Sequence, residues 1–126
     1  MSKFLIDTDV MVELLRGNQK IVSYMEDLHK RGNAFFYSPV TKAEIFHGIR
    51  KGEEEKVNSL FQSMQCIHIS DEMGQKAGLY LKQFHPSHNL QLGDALIAAT
   101  AILADTFLIT CNRKHYPMKD IDIITL

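Results

Sequence analysis

Residues 3–9 read Lys3-Phe4-Leu5-Ile6-Asp7-Thr8-Asp9, an apolar run that ends in two carboxylates. Consecutive apolar residues are typical of a short buried strand, and a carboxylate directly after such a strand is costly to bury unless it is paired or binds a cation. Apolar residues then recur at helical spacing over residues 10–16, until Gly17 and Asn18 end the pattern. The chain is therefore predicted to begin with a strand, an acid and a helix.

The remainder of the chain alternates between strand and helix patterns. Further helices are predicted over residues 21–31, 41–48, 53–64, 71–84 and 90–105, and further strands over residues 34–37, 66–69, 107–110 and 121–126. Residues 85–89 are predicted to form a polar loop, and His85 and His88 within it are not interpreted as a metal site. Because the strands are almost continuously apolar, we predict an α/β fold of three layers, α/β/α, around a mainly parallel sheet of four or five strands.

Length and composition fit a single folded domain that spans residues 1–126. Hydrophobic residues make up 45% of the chain and charged residues 23%, well outside the range of disordered proteins. The longest apolar block, residues 95–104, is too short to span a membrane, and Asp7 comes too early for the apolar core of a secretory signal. We therefore expect a cytoplasmic protein with no membrane contact.

Cys66 and Cys111 lie far apart in sequence, which predicts reduced thiols and neither a zinc site nor a disulfide.

Sheets of this kind place their functional sites at the carboxyl ends of the strands. That rule selects Asp7, the segment 38–44, the pair Ser70-Asp71 and the segment 110–112 as candidates. A carboxylate that closes a buried strand, as Asp7 does, is the hardest of these to explain by structure alone.

Three other acids have structural alternatives. Asp9 could cap the first helix, Glu44 could complete a capping box with Thr41, and Asp94 could be a first-turn acid that faces the helix dipole. If Asp7, Glu44 and Asp94 share one crevice, they repel one another as bare anions, and hard cations such as magnesium or manganese would neutralise them. Such cations lower the pKa of bound water and polarise phosphoryl oxygens, as phosphodiester hydrolysis requires.

Four ordered blocks of the chain resemble the PIN-domain family, and in particular the VapC-type toxins of bacterial and archaeal toxin-antitoxin pairs. Together they cover essentially the whole chain. The blocks are Phe4-Leu5-Ile6-Asp7-Thr8-Asp9, Val40-Thr41-Lys42-Ala43-Glu44-Ile45-Phe46-His47-Gly48, Leu92-Gly93-Asp94-Ala95-Leu96-Ile97-Ala98-Ala99-Thr100-Ala101 and Leu108-Ile109-Thr110-Cys111-Asn112-Arg113-Lys114-His115-Tyr116.

The resemblance implies that Asp7, Glu44 and Asp94 are catalytic acids and metal ligands. In the fourth block many relatives carry a further acid, whereas this chain has Asn112 and, three residues later, His115. An amide carbonyl can orient a bound water but adds no negative charge, so we expect one firmly bound Mg²⁺ or Mn²⁺. Thr110 and Asp9 are expected to support the ligands.

The same resemblance implies a metal-dependent endoribonuclease that acts on structured RNA such as transfer or ribosomal RNA. It also implies a cognate antitoxin protein whose tail enters the crevice, and a homodimer. Basic residues on both sides of the predicted crevice could meet phosphates, although the formal net charge is only −1. They are Lys42, Arg50, Lys51, Arg113, Lys114 and His115.

Other functions fit parts of the sequence. Asp7-Thr8-Asp9 after a strand also matches the start of haloacid-dehalogenase-type phosphatases, but the segment around Asp94 lacks the acidic pair of their final motif. A degenerate PIN domain that binds without cutting is supported by the missing fourth acid. Glu44 and His47 have the spacing used in di-iron bundles, but that fold needs the motif twice, on four helices.

Overall fold

A computed structural model of the chain describes residues 2–126. All strand pairs are parallel, and the sheet has the order β3-β2-β1-β4-β5. The strands are β1 (Lys3–Ile6), β2 (Ala34–Tyr37), β3 (Gln65–Cys66), β4 (Phe107–Thr110) and β5 (Ile123–Thr125). The helices are α1 (Thr8–Leu15), α2 (Gln19–Lys30), α3 (Pro39–His47), α4 (Glu54–Gln62), α5 (Asp71–His88) and α6 (Leu92–Leu103), and a 3-10 turn spans Arg113–His115.

Alternate side chains of β1 pack into two separate cores on opposite faces of the sheet. Leu5 belongs to the core formed with α5 and α6, whereas Phe4 and Ile6 belong to the core formed with α1, α2 and α4. This alternation follows from the period of two along a strand. The predicted three-layer α/β/α fold with a parallel sheet is confirmed.

The strand order reverses at β1. From β1 the chain runs outward through β2 to β3, and then returns to the other side of β1 to form β4 and β5. In parallel sheets a crevice opens outside the carboxyl ends of the strands at such a reversal. Asp7 follows β1 at this point, and its amide donates a hydrogen bond to the Ile109 carbonyl of β4 at 2.9 Å. The fold therefore places Asp7 beside the residues that follow β4.

The predicted start of α3 was wrong. Ser38, and not Thr41, is the N-cap, because its hydroxyl accepts a hydrogen bond from the Val40 amide at 3.1 Å and Pro39 occupies the first helical turn. Proline is favoured there because its missing N–H would have no partner within the helix. Thr41 is fully buried inside the helix, so the capping-box explanation of Glu44 does not apply.

The predicted loop over residues 85–89 was also wrong. α5 continues through Pro86 to His88 and ends at Asn89, which adopts a left-handed conformation with φ 51°. Pro86 removes one helical hydrogen bond, and α5 continues for only two residues beyond it. β3 is shorter than predicted and comprises only Gln65–Cys66.

Packing at the sheet centre should dominate stability. Leu108 on β4 is completely buried, so Leu108→Ala is expected to lower the free energy of unfolding by about 2–5 kcal/mol through reduced burial and a residual cavity. Leu103→Ala on α6 is the control, because Leu103 is 43% exposed and its truncation should cost much less. Urea unfolding followed by circular dichroism measures both, and equal effects would contradict this account of the core.

Candidate metal centre at the ends of β1 and β4

Asp7 is held by three hydrogen bonds at the carboxyl end of β1. As the N-cap of α1, it accepts the Thr8 amide on Oδ1 at 2.8 Å. Its Oδ2 accepts the Thr110 hydroxyl at 2.8 Å and the Tyr116 hydroxyl at 2.8 Å. The residue is only 4% exposed. Burial raises the pKa of Asp7 to about 6 and the nearby charge of Asp9 adds to the rise, whereas the three donors oppose it.

Asp9 links α1 to the end of β4. Its carboxylate accepts the Cys111 amide at 3.2 Å and lies 3.2 Å from the Thr110 hydroxyl oxygen. Since Asp7 is the N-cap of α1, the alternative explanation of Asp9 as that cap was wrong. The Thr110 oxygen is closer to Asp7 and also accepts the Asn112 amide at 3.1 Å. Thr110 therefore lies between both acids, and its role in supporting metal ligands stays a prediction.

Glu44 faces the crevice from α3. Its Oε1 accepts the Thr8 hydroxyl at 2.7 Å, which joins the second acid to the residue directly after Asp7. The amino end of α6 approaches closely, because a Cβ added at Gly93 would lie 3.9 Å from Glu44 Oε2 and 3.4 Å from Val40. The first turn of α6, which carries the third acid, therefore lies beside Glu44.

Asp94 lies in the first turn of α6 and is half-buried. Burial is the largest cause of the raised pKa of Asp94; His115 lowers this pKa, and Glu44 and Asp9 raise it further. Repulsion of this kind requires that the carboxylates lie close together across the crevice. Asp94 therefore lies within electrostatic range of Glu44, Asp9 and His115.

Asn112 and His115 interact with each other in the turn after β4. The Asn112 side-chain oxygen accepts the Lys114 amide at 3.2 Å, and its nitrogen lies 3.1 Å from His115 Nε2. Both ends of the Asn112 side chain thus have local partners, which accounts structurally for an amide at this position. Its predicted catalytic role stays a prediction.

Sequence reasoning missed two residues of the centre. Thr8 bridges the first two acids through its amide and hydroxyl, and Tyr116 donates to Asp7 from a side chain that is 2% exposed. Burial, together with the charge of Asp7, raises the pKa of Tyr116 far above its ordinary value, so the hydroxyl stays protonated and acts as a donor. Only one general rule could have indicated Tyr116 from the sequence, namely that a buried tyrosine hydroxyl needs a polar partner.

The six basic residues proposed to meet phosphates are all exposed. Lys42 extends its ammonium over the rings of Phe61 and Tyr37, 5.3 Å and 5.8 Å from their centroids.

Of the other strand-end candidates, Ser70 is the N-cap of α5 and accepts the Met73 amide at 3.2 Å. Ser70-Asp71 therefore has a structural role at the start of that helix.

The donor chemistry of the crevice fits a hard divalent cation. The side chains that meet there offer carboxylate and hydroxyl oxygens, the ligands that magnesium and manganese prefer. Burial raises the pKa of Asp94, repulsion from Glu44 and Asp9 adds to the rise, and a bound cation would offset that repulsion. Within residues 2–126, however, no three side chains of His, Cys, Asp or Glu already form a metal-binding group. The acids share a crevice without being gathered around one point.

Comparison with known proteins agrees with the fold and the motif order. A family model described as the PIN domain matches residues 4–122. Ribonuclease VapC10 of Mycobacterium tuberculosis is 35% identical over 90% of this chain and 86% of its own length, and ribonuclease VapC19 of the same organism is 30% identical over 90% of this chain and 92% of its own. The structure of VapBC2 from Rickettsia felis, bound to a promoter DNA fragment, superposes with a TM-score of 0.83 at 20% identity over 98% of both chains.

In the absence of metal, ionisation of Asp7 should destabilise the fold. The pKa of Asp7 in the folded protein, about 6, exceeds its ordinary value of 3.8, so between these values the folded state binds more protons and the free energy of unfolding falls as the pH rises. Asp7→Asn cannot ionise, and its stability relative to the parent should rise by about 3 kcal/mol from about pH 4 to about pH 7. Urea unfolding in EDTA measures this difference, and a difference independent of pH would contradict the burial of an uncompensated charge.

Proposed function

Because the chain belongs to the PIN domain family, we propose that it is a divalent-metal-dependent endoribonuclease and the toxin of a VapBC-type toxin-antitoxin pair. The observation that carries this proposal is the crevice that Asp7, Asp9, Glu44 and Asp94 share where the strand order reverses. The order of these acids along the chain is the order that the family resemblance implied. RNA as substrate is also what the relatives named as ribonucleases support.

Asp7 and Asp94 are the direct ligands that we propose for Mg²⁺ or Mn²⁺, with Glu44 as a further ligand, direct or through water. When bound, the cation lowers the pKa of a water molecule and neutralises charge that develops on the phosphoryl group. Thr110 and Thr8 hold the carboxylates of Asp7 and Glu44 by hydrogen bonds. Without a fourth acid, we propose one firmly bound ion, and Asn112 would orient a water of the crevice.

Exposed cations on two sides of the acids supply the proposed RNA contacts. Lys42 lies on α3 with Glu44, and Arg50 and Lys51 follow that helix. Arg113 and Lys114 lie in the turn after β4, beside Asn112. Phosphate contacts of this kind position a nucleic acid and contribute affinity without reading its sequence.

A recess of about 340 Å³ lies beside Glu44 and is the proposed entry of the antitoxin tail. Its walls come from α1, α3 and α4 and include Val12, Ile45 and Val57. An apolar segment that fills this recess would cover Glu44 and block access of RNA to the acids. Occupation by the antitoxin is thus expected to inhibit cleavage. Co-purification with the product of the neighbouring reading frame would test the binding, and a cleavage assay of the purified complex would test the inhibition.

We also propose a homodimer. Leu79 on α5 and Leu92 on α6 are large apolar side chains exposed to 56% and 61%. Contact with a second copy of the chain would remove them from water. None of the helices within residues 2–126 combines the length and the apolar character that a membrane span requires. Since the proposed substrates are cellular RNAs, we place the protein in the cytoplasm.

Replacement of Asp94 tests the proposed activity. Asp94→Asn removes charge without changing volume, so we expect the fold to persist while Mg²⁺-dependent cleavage of structured RNA falls at least about 100-fold. Asp105→Asn is the matched control, because Asp105 is exposed and its left-handed backbone, with φ 53°, suits asparagine equally well. Cleavage is followed on labelled transfer RNA, and the fold by circular dichroism.

Three outcomes would contradict the proposal. Equal cleavage by parent and Asp94→Asn would show that Asp94 is not part of the active centre. A parent that binds RNA but does not cut it at any concentration of Mg²⁺ or Mn²⁺ would instead favour the degenerate PIN domain. Release of inorganic phosphate from small phosphoesters without RNA cleavage would revive the phosphatase hypothesis.

The turn after β4 should contribute to RNA binding through charge. In the inactive Asp94→Asn background, the double variant Arg113→Ala and Lys114→Ala should bind RNA more weakly, and the slope of log affinity against log salt should fall by about 0.7 for each phosphate that the variant no longer neutralises. Lys30→Ala with Arg31→Ala is the matched control, since Lys30 ends α2 and Arg31 follows it, shortly before β2 and therefore at the amino ends of the strands. Equal salt slopes for both double variants would contradict the assignment.

A further inference from the structure

We propose that Tyr116 is a positioning residue of the metal centre, whose buried hydroxyl holds the Asp7 carboxylate in the orientation in which it ligates the cation. The role depends on the proposed function, because it concerns how one ligand of that centre is held. Tyr116 itself touches neither the cation nor the RNA in this proposal and acts through Asp7.

The contact between the two side chains is short and shielded from water. Tyr116 Oη donates to Asp7 Oδ2 at 2.8 Å, across 109 positions of sequence. The two residues are 2% and 4% exposed. Hydrogen bonds to an ionised acceptor are stronger than neutral ones, and a low-dielectric surrounding strengthens them further. The bond can therefore restrain the carboxylate, in addition to giving the buried phenol hydroxyl a hydrogen-bond partner.

The hydrogen bonds of Asp7 leave it little freedom to present its oxygens. An ionised carboxylate has about four lone-pair positions. Two donors, Tyr116 and Thr110, occupy Oδ2, and the Thr8 amide occupies one position on Oδ1. The position that remains is on Oδ1, so Asp7 is set up to offer a single oxygen to a cation. Removal of the Tyr116 hydroxyl would reopen Oδ2 and take away one of the three restraints.

Tyr116 is rigidly supported. Its amide donates to the Arg113 carbonyl at 2.9 Å, which closes the 3-10 turn, and its ring is buried in the core shared with α5 and α6. Met118 and Ile121, which follow it, are buried in the same core. A hydroxyl on so fixed a ring can hold the Asp7 side chain in one orientation, and outer partners of metal ligands act in this way.

The test compares two tyrosines that each donate to an aspartate. Tyr116→Phe keeps the ring and removes only the hydroxyl that reaches Asp7. Tyr80→Phe is the matched control, because Tyr80 is 3% exposed and its hydroxyl donates at 2.8 Å to Asp120, outside the proposed centre. Binding of Mn²⁺ to the RNA-free protein is measured by electron paramagnetic resonance of the free ion, with folding checked by circular dichroism.

We expect the Kd for Mn²⁺ to rise about 10-fold or more in Tyr116→Phe and to stay unchanged in Tyr80→Phe. In cleavage assays, Tyr116→Phe should need more Mn²⁺ for half-maximal activity but approach the parent rate at saturating Mn²⁺. Equal Mn²⁺ affinity of parent, Tyr116→Phe and Tyr80→Phe would overturn the role of Tyr116 while leaving the proposed function intact. A parent that binds no Mn²⁺ would overturn both.

The parent protein provides a measurement that needs no variant. A buried tyrosine hydroxyl proton that exchanges slowly can be observed by nuclear magnetic resonance. If Tyr116 donates to a cation ligand, the resonance of its hydroxyl proton should shift when Mg²⁺ is added, and that of Tyr80 should not. The same response of both protons to Mg²⁺ would overturn the role of Tyr116.

Discussion

The buried carboxylate of Asp7 is the constraint on which the rest of the structure depends. A charge at the end of a central strand, only 4% exposed, is tolerated because three donors meet it. Those donors come from the start of α1, the end of β4 and the segment after the 3-10 turn. The burial of one acid thus joins parts of the chain that are far apart in sequence. Burial still leaves the pKa of Asp7 raised to about 6, so the arrangement is costly without a further positive charge.

The sheet topology explains why the other acids meet Asp7. Since β1 is bordered by β2 and β4, the residues that follow all three strands lie at one edge. Glu44 reaches this edge from α3, which begins directly after β2, and Asp94 from the helix that precedes β4. α6 packs beside α3 at Gly93, where an added Cβ would lie in ordinary contact distance of Val40 and Glu44. The order in which the strands and helices are connected therefore creates an oxygen-lined crevice in which the pKa values of acids are raised. Such a crevice favours a bound cation, which supports the nuclease chemistry of the family.

Local patterns predicted much of this from the sequence. β2 and β4 have the predicted bounds, because short apolar strands between clear turn residues leave little room for error. The rule that sites follow strand ends selected Asp7, Glu44 and Thr110 without coordinates. Errors arose where two local signals competed: Ser38-Pro39 outweighed Thr41 as a helix start, and Pro86 near a helix end did not stop α5. The bond between Tyr116 and Asp7 could not be predicted, since no local pattern specifies a partner 109 residues away.

The central claim is that Asp7, Glu44 and Asp94 hold a divalent cation together. Anomalous scattering from a crystal of the parent protein grown with Mn²⁺ tests it most directly, because the signal locates the ion without reference to activity. The account predicts a peak in the crevice, within coordination distance of oxygens of Asp7 and Asp94. A well-ordered crystal with Mn²⁺ bound only elsewhere, or with all three carboxylates free of the ion, would contradict it.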